Sequence, residues 1–402
     1  MVFRPPSRRL LSLDALRGFV ILAMIFVNLT GGMPGIPWWA QHAKPEQDLY
    51  TFVDIVFPAF LFMVGTAIPF SLGPRLDAGA GWWGTLARIL PRTFGLVLLG
   101  IIFVNDERFS AELTGMPYHI WSGIALLAAI TLWSSAPADA GRRRAHAVLQ
   151  AVAAVVMAWM LVIWRAKPGE GSAYLEPQWW GILGMIGWAY LVAGVVYLLV
   201  RGDETALMGV FGLALCVYIG SRHDRLGVLN HLDRWLSVGS FLGSTTAIVL
   251  AGVVAGSRLR SGRHGAPWFL LWFGLGLWAA GWFLRPLHGY SKDNGTESWA
   301  LVTAGITALL LLGFHLALDR GKPGGKLPLP WVSNWLVLAG RNALLAYILP
   351  DLVGSFCRMV GVDLVPYWER GGGIGALNAA VISVFVVSIA ALATRVRYTV
   401  RL

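Results

Sequence analysis

Between Phe26 and Gly65 the chain reads FVNLTGGMPGIPWWAQHAKPEQDLYTFVDIVFPAFLFMVG, and this run decides the fold. One apolar segment closes at Asn28-Leu29-Thr30, a polar stretch rich in Gly and Pro follows, and a second apolar segment opens around Asp54. Two lipid-length apolar segments joined by a short polar turn belong to a chain that crosses a bilayer and returns. Polar groups are scarce here, and three stand out: the amide of Asn28, the imidazole of His42 and the carboxylate of Asp54. A neutral imidazole backed by a carboxylate is an acid–base apparatus. The twelve positions from His42 to Asp54 are enough for the chain to fold one back onto the other.

Composition extends this reading to the whole chain. Of 402 residues, 56% are hydrophobic and 13% charged, and the mean hydropathy is +0.64. A soluble domain carries about 25% charged residues. The apolar runs are about 17–23 residues long, the length that spans a bilayer as helix, whereas a membrane barrel shows short alternating segments. The expected fold class is therefore all-α, a polytopic transmembrane helical bundle. About 12 spans are expected, near 16–34, 51–73, 86–104, 117–135, 147–164, 179–200, 204–219, 238–256, 266–284, 298–318, 331–352 and 374–394, with ten as the lower alternative. The whole of 1–402 reads as a single multi-pass domain without a cleavable leader.

Basic residues orient such a bundle, because Lys and Arg stay on the cytoplasmic side. With the N-terminus inside, the cytoplasmic segments hold Arg4, Arg8, Arg9, Arg17, Arg75, Arg88, Arg92, Arg142–Arg144, Arg201, Arg258, Arg260, Arg263, Arg320, Lys322, Lys326, Arg395, Arg397 and Arg401. That is 20 of the 32 basic residues, so both termini are expected in the cytoplasm and His42 on the exterior face of a cell (inner) membrane. The net charge of +11 is spread over these short loops, where it contacts anionic lipid rather than nucleic acid. Tryptophans gather near span ends (Trp38, Trp39, Trp82, Trp83, Trp179, Trp180, Trp331, Trp335), as an interfacial belt does.

Several chemistries are disfavoured. Cys216 and Cys357 lie in apolar surroundings and offer neither a disulfide framework nor a metal site. The eight histidines form no HxxxH or HExxH pattern, and no GxSxG, GxGxxG or Walker loop occurs. Attention falls on polar residues expected inside spans, which cost about 2.5–3.5 kcal/mol near the bilayer centre and so face a cavity or a partner. These are Asn28, Asp54, Arg341 and Asn342, with Asp14 and Arg17 spaced to pair at a cytoplasmic end.

Three stretches carry a resemblance: SLDALRGFVILAMIFVNLTGG (Ser12–Gly32), WWAQHA (Trp38–Ala43) and FVDIVFPAFLFMVG (Phe52–Gly65). Together they resemble the opening of the heparan-α-glucosaminide N-acetyltransferase family of membrane acetyltransferases. The likeness resumes at LSVGSFLGSTTAIVLAGVVAG (Leu236–Gly256), YSKDNGTESWALVTAG (Tyr290–Gly305) and GRNALLAY (Gly340–Tyr347). The N-terminal motif region then covers 16–135 and a second block covers 236–352, while 179–219 reads as a helix pair inserted into the family core. The family's Gln-Arg pair is replaced by Ser122-Gly123 in WSGIALLAA.

The resemblance implies acetyl transfer from cytosolic acetyl-CoA to an amino sugar or glycan acceptor at the exterior face. It places the family's histidine at His42, its asparagine at Asn28 and its helix-start aspartate at Asp54. His42 would be a general base or a covalent acetyl carrier, and Asn28 would hydrogen-bond the thioester oxygen. Lys292 would serve the same oxyanion or a substrate hydroxyl. Arg17, Arg88 and Arg92 would meet the CoA phosphates, with Arg341 and Asn342 along the pantetheine path. No metal is expected. Membrane lipids are partners, and the 48 glycines fit close helix packing, within the chain or in a homodimer. Two alternatives stand beside this reading, a multi-pass transporter or flippase and a glycan O-acyltransferase.

Overall fold

The computed structural model describes residues 10–402 apart from 45, 224, 230, 232–236, 263, 320–328 and 363–370. In chain order the helices are α1 Leu11–Thr30, α2 Val53–Asp77, α3 Trp82–Val104, α4 Tyr118–Leu132, α5 Ala140–Ile163, α6 Gly181–Leu199 and α7 Glu204–Arg222. They continue with α8 Thr245–Arg260, α9 Ala266–His288, α10 Glu297–Leu318, α11 Pro330–Gly340, α12 Ala343–Met359 and α13 Gly372–Arg395. A four-residue helix, Ala111–Thr114, precedes α4, and a π-helical turn, Gly239–Ser244, runs into α8. No strand occurs among the described residues, only isolated bridges.

Among the described residues ten helices are long and apolar enough to cross a membrane, counting α8 together with its π-helical turn as Gly239–Arg260, and the bent pair α11–α12 makes an eleventh if counted as one span. The protein is a multi-pass all-helical membrane protein. Two of the twelve expected segments differ in form. Tyr118–Leu132 has only 15 residues, short of the ~20 that span hydrocarbon; Pro117 starts it, and Ser134 pairs with Val400 just past its end. The expected span 331–352 is two helices meeting at 82°, broken at Arg341-Asn342. Arg4, Arg8, Arg9, Arg263, Arg320, Lys322 and Lys326, on which the expected orientation partly rests, lie outside the described residues.

The chain divides into two compact units, each assembled from separate segments. The first comprises Met1–Leu16, Pro37–Val97 and Gly184–Ser333. Its centre is α8, where Val249, Leu250, Ala251, Val253 and Ala255 are all fully buried. Small residues let α2 lie directly against it. A Cβ on Gly65 would collide with the Val249 carbonyl, and one on Gly252 with the Phe62 carbonyl. Without a hydrophobic driving force between helices in lipid, such backbone proximity supplies the packing energy. Side-chain caps start α7 and α10: Asp203 accepts from Ala206 N and Thr296 from Trp299 N, satisfying N–H groups that the helix cannot. On α9, Trp268, Trp272, Trp278 and Trp282 are exposed, as lipid-facing aromatics are.

The second unit comprises Arg17–Ile36, Leu98–Leu183 and Asn334–Leu402. Here Trp121 Nε1 donates to Met160 O at 2.8 Å, joining α4 to α5. The two residues that replace the expected Gln-Arg pair have their own packing. Ser122 Oγ lies 2.8 Å from Ser355 Oγ, and the hydrogen of Gly123 leaves room for the Met359 methyl.

Candidate active site

The site is built on the entry to α2. Within Thr51-Phe52-Val53-Asp54 the Asp54 carboxylate turns back to accept the Thr51 N–H at 3.0 Å, while Thr51 Oγ1 accepts from Val53 N at 3.2 Å. This reciprocal arrangement resembles a capping box, with the Val53 N–H rather than that of Asp54 bonded to the Thr51 hydroxyl, and it satisfies N–H groups at the helix entry. The same carboxylate oxygen accepts the Ala43 N–H at 3.1 Å, and Thr51 Oγ1 sits 2.7 Å from Gln41 O. The chain from Gln41 to Thr51 is thereby pulled over the helix end.

His42 is placed by that fold. Its Nδ1 lies 2.7 Å from Asp54 Oδ1. Asp54 is 1% exposed and the His42 side chain 50% exposed, so a buried anion holds an imidazole whose far edge is open. An ionised carboxylate only accepts, so Nδ1 carries the hydrogen and Nε2 the lone pair. Trp299 of α10 donates its indole N–H to the Asp54 main-chain carbonyl at 3.2 Å, fixing the base of the site from a second helix.

Lys292 comes alongside the His42 ring from the loop between α9 and α10. Its Nζ is 3.2 Å from His42 Nδ1 and 3.2 Å from Nε2. That loop is internally stapled. Ser291 N donates to Thr296 Oγ1 at 3.0 Å, Thr296 N to Ser291 O at 3.0 Å and Gly295 N to Lys292 O at 3.0 Å. Burial pushes the Lys292 ammonium down from its ordinary value, with Asp54 and Asp293 pulling the other way.

Comparison with known proteins follows the same segments. A family model described as "Domain of unknown function (DUF5009)" matches residues 9–238, more than half of the chain. The chain belongs to the DUF5009 family. It is also 28% identical over 379 residues to a Homo sapiens protein named heparan-alpha-glucosaminide N-acetyltransferase, covering 86% of this chain and 52% of that one. The Mus musculus protein of the same name is 27% identical over 286 residues, 64% of this chain and 40% of that one. The chain thus spans about half the length of the curated relatives it matches.

The DUF5009 match takes in Arg17, Asn28, His42, Asp54, Arg88 and Arg92, whereas Lys292, Arg341 and Asn342 lie beyond it. His42, Asp54 and Lys292 are brought together in the first unit. Arg88 and Arg92 belong to that unit too, one turn apart on α3; Arg88 is exposed, and the Arg92 guanidinium lies 4.7 Å from the centre of the Tyr190 ring. The remaining four belong to the second unit. Asn28 is exposed on α1. Arg17 donates to Gly340 O at 3.4 Å. Asn342 is fully buried, its Nδ2 donating to Tyr398 O at 3.1 Å and its Oδ1 accepting from Val400 N at 2.9 Å. Both ends of that amide are spent on the C-terminal tail, and Arg341 sits beside it at the helix break.

Sequence reasoning passed over Thr51, Trp299, Asp48 and Arg285. The Thr-x-x-Asp spacing before an apolar run was a usable signal for Thr51; the other three act across long separations that one sequence does not display. Among the described residues no group of three or more metal-ligating side chains occurs.

Proposed function

We propose that this chain is a membrane acetyltransferase that moves the acetyl group of acetyl-CoA to the amine of an amino sugar or glycan. The observation that carries the reading is the 2.7 Å contact between His42 Nδ1 and Asp54 Oδ1, which leaves Nε2 as a base facing the open side. The names of the human and mouse relatives support it. An aminoglycoside nitrogen at neutral pH is largely an ammonium and becomes a nucleophile only after losing a proton. His42 Nε2 takes that proton. The nitrogen lone pair attacks the thioester carbon, the C–S bond breaks as the C–N bond forms, and the remaining ammonium proton leaves with the CoA sulfur. Lys292 is the cation nearest the developing oxyanion. If Nε2 attacks the thioester first, the C–S bond breaks, CoA leaves as the thiolate and the acetyl-histidine is stabilised by the same carboxylate. The deprotonated amine then takes the acetyl group, the Nε2–acetyl bond breaks, and the amine's surplus proton goes to the thiolate. Arg88 and Arg92 are assigned to the CoA phosphates, with both chain termini in the cytoplasm and His42 at the exterior face of a cell membrane. No step is assigned to Asn28, Arg17, Arg341 or Asn342.

The test follows free CoA released from acetyl-CoA by full-length protein in detergent, with and without glucosamine, for wild type and His42→Ala. Glucosamine-dependent release that vanishes in the variant is the expected result. Absence of CoA binding and of release with every amino sugar or hydroxyl acceptor would overturn the reading in favour of a transporter, and a base-labile product would mark an O-acyltransferase.

A further inference from the structure

The loop that presents Lys292 is gripped at both ends by carboxylates that never touch His42. At its start, Asp48 Oδ1 accepts the Tyr290 N–H at 2.6 Å and Oδ2 accepts Arg285 Nε at 2.8 Å. Arg285 also reaches the Asp48 main-chain carbonyl at 3.1 Å, and its guanidinium covers the Tyr290 ring at 5.1 Å. At the loop's end, Glu297 holds His288 Nδ1 through both oxygens, at 2.9 and 3.0 Å. Glu297 is fully buried and the His288 side chain 12% exposed. Tyr218 and His223 pack their rings beside His288, and Tyr218 OH donates to Asn294 O at 3.1 Å inside the loop.

These contacts share a purpose that the loop's own staples do not serve. Asp48 lies six positions after His42 on the same polar segment, so its two bonds tie the chain carrying His42 to the chain carrying Lys292. Lys292 itself is a flexible side chain whose rotamer entropy opposes a fixed position. Its only side-chain polar contacts among the described residues are with His42. Asp48 docks the start of the loop, and the Glu297–His288 contact clasps its far end to that start, so the ammonium is delivered to a fixed point. We propose that Asp48 and Glu297 are positioning residues that set Lys292 against His42. This rests on the acetyltransferase reading for its effect on rate, but not for its effect on Lys292.

A double-mutant cycle separates positioning from general structural support. Asp48→Asn should lower turnover about 10- to 100-fold, the scale of a misplaced catalytic group, with the KM for acetyl-CoA little changed. In a Lys292→Met background the same Asp48→Asn change should cost nothing further. Glu297→Gln, which keeps volume and an acceptor oxygen, should behave alike, and Asp48→Glu should recover part of the rate. A second readout needs no activity. The chain has five lysines, so pH-dependent labelling with acetic anhydride, read by mass spectrometry, compares Lys292 with Lys44 and Lys167 in one sample. In wild type, burial of Lys292 outweighs the pull of Asp54 and Asp293 and should put its labelling midpoint below 10.5, the ordinary lysine value. In Asp48→Asn and Glu297→Gln it should rise toward that value. Equal losses in both backgrounds, or a Lys292 midpoint unmoved by both variants, would overturn the proposal. A wild type that labels as expected yet transfers no acetyl group would sink the acetyltransferase reading alone.

Discussion

Lys292 Nζ stands 3.2 Å from both ring nitrogens of His42, a residue 250 positions earlier in the chain. The two contacts are not equivalent. Nδ1 is already bonded to Asp54 at 2.7 Å and its hydrogen points there, so only Nε2 keeps a lone pair. A position equidistant from both nitrogens lies beside the ring face, off the in-plane axis of that lone pair. The lone pair thus stays open to an acceptor amine, with the ammonium near enough to stabilise the oxyanion. Removing it with Lys292→Met is expected to lower turnover about 10²- to 10³-fold, the range for a lost oxyanion partner. A loss confined to the KM for the sugar would instead make Lys292 a binding residue.

The same lysine predicts a pH dependence. Burial disfavours its charged form, so Lys292 loses its proton below the ordinary lysine value of 10.5. Rate should decline on the alkaline side before 10.5, as the cation needed at the oxyanion disappears. Lys292→Arg carries a charge that does not titrate in this range, so its residual activity should show no alkaline decline. An identical alkaline limb in the two proteins, measured as kcat against pH, would rule Lys292 out as its source.

Asp54 has two duties, and substitutions should split them. Asp54→Asn preserves volume, but its amide NH2 can donate to Nδ1 and force the hydrogen onto Nε2, the wrong tautomer for a base. Turnover should fall about 10²- to 10⁴-fold with little loss of stability. Asp54→Ala should lose activity too and also destabilise by about 1–3 kcal/mol, because the N–H groups of Ala43 and Thr51 lose their acceptor. Thermal unfolding in detergent, paired with turnover, distinguishes the two variants. Equal stability for both would deny the carboxylate its structural share.

The difference between these residues explains what could be read from sequence. His42 and Asp54 are twelve positions apart, and a Thr-x-x-Asp box at a helix entry is a local rule, so their pairing was within reach of one chain of letters. The helical class was equally legible, because runs of lipid-soluble residues have one backbone solution that satisfies every amide in hydrocarbon. Lys292 was visible as a polar residue in a suggestive loop, yet its arrival at His42 depends on Asp48 and Arg285, 237 positions apart. Nothing in the sequence around Asp48, Arg285 and Tyr290 announces that. The break between α11 and α12 was hidden for a related reason. Arg341-Asn342 reads as a polar interruption of a span, but the 82° bend there is held by bonds from Asn342 to Tyr398 and Val400 in the distant tail.

Helix proximity gives a prediction independent of chemistry. Gly65→Ala should push α2 away from α8, since the new methyl would overlap the Val249 carbonyl, and main chain cannot move aside as a side-chain tip can. Overpacking of this kind costs about 1–3 kcal/mol, and because α2 carries Asp54, turnover should fall with it. Gly276→Ala on α9 is the control: it is exposed, nothing lies within 4 Å of the added carbon, and replacing a helical glycine removes unfolded-state entropy. It should be neutral or slightly stabilising in thermal unfolding. Equal losses at the two sites would show that close packing is not what Gly65 provides.

At the opposite end of α10, Asp319 caps the start of α1. Its carboxylate accepts Leu11 N at 2.9 Å and Ser12 N at 3.1 Å, with His315 Nδ1 3.4 Å away at ion-pair rather than hydrogen-bond distance. Burial pushes this carboxyl up, but His315 and the Ser12 and Leu11 N–H groups outweigh it and hold the group below its ordinary 3.8. A depressed carboxyl pKa stabilises the fold above the unfolded value, and the contribution is lost as pH falls through the folded value. Asp319→Ala should therefore cost about 0.5–2 kcal/mol at neutral pH. The gap in unfolding temperature between wild type and variant should stay constant from about pH 8 to pH 5 and close only below about pH 4. Asp319→Asn, which keeps a neutral acceptor for one of the two N–H groups, should fall between them and show no such closure. A gap that persists unchanged below about pH 4 would instead leave Asp319 as a plain hydrogen-bond acceptor whose ionisation is not linked to folding.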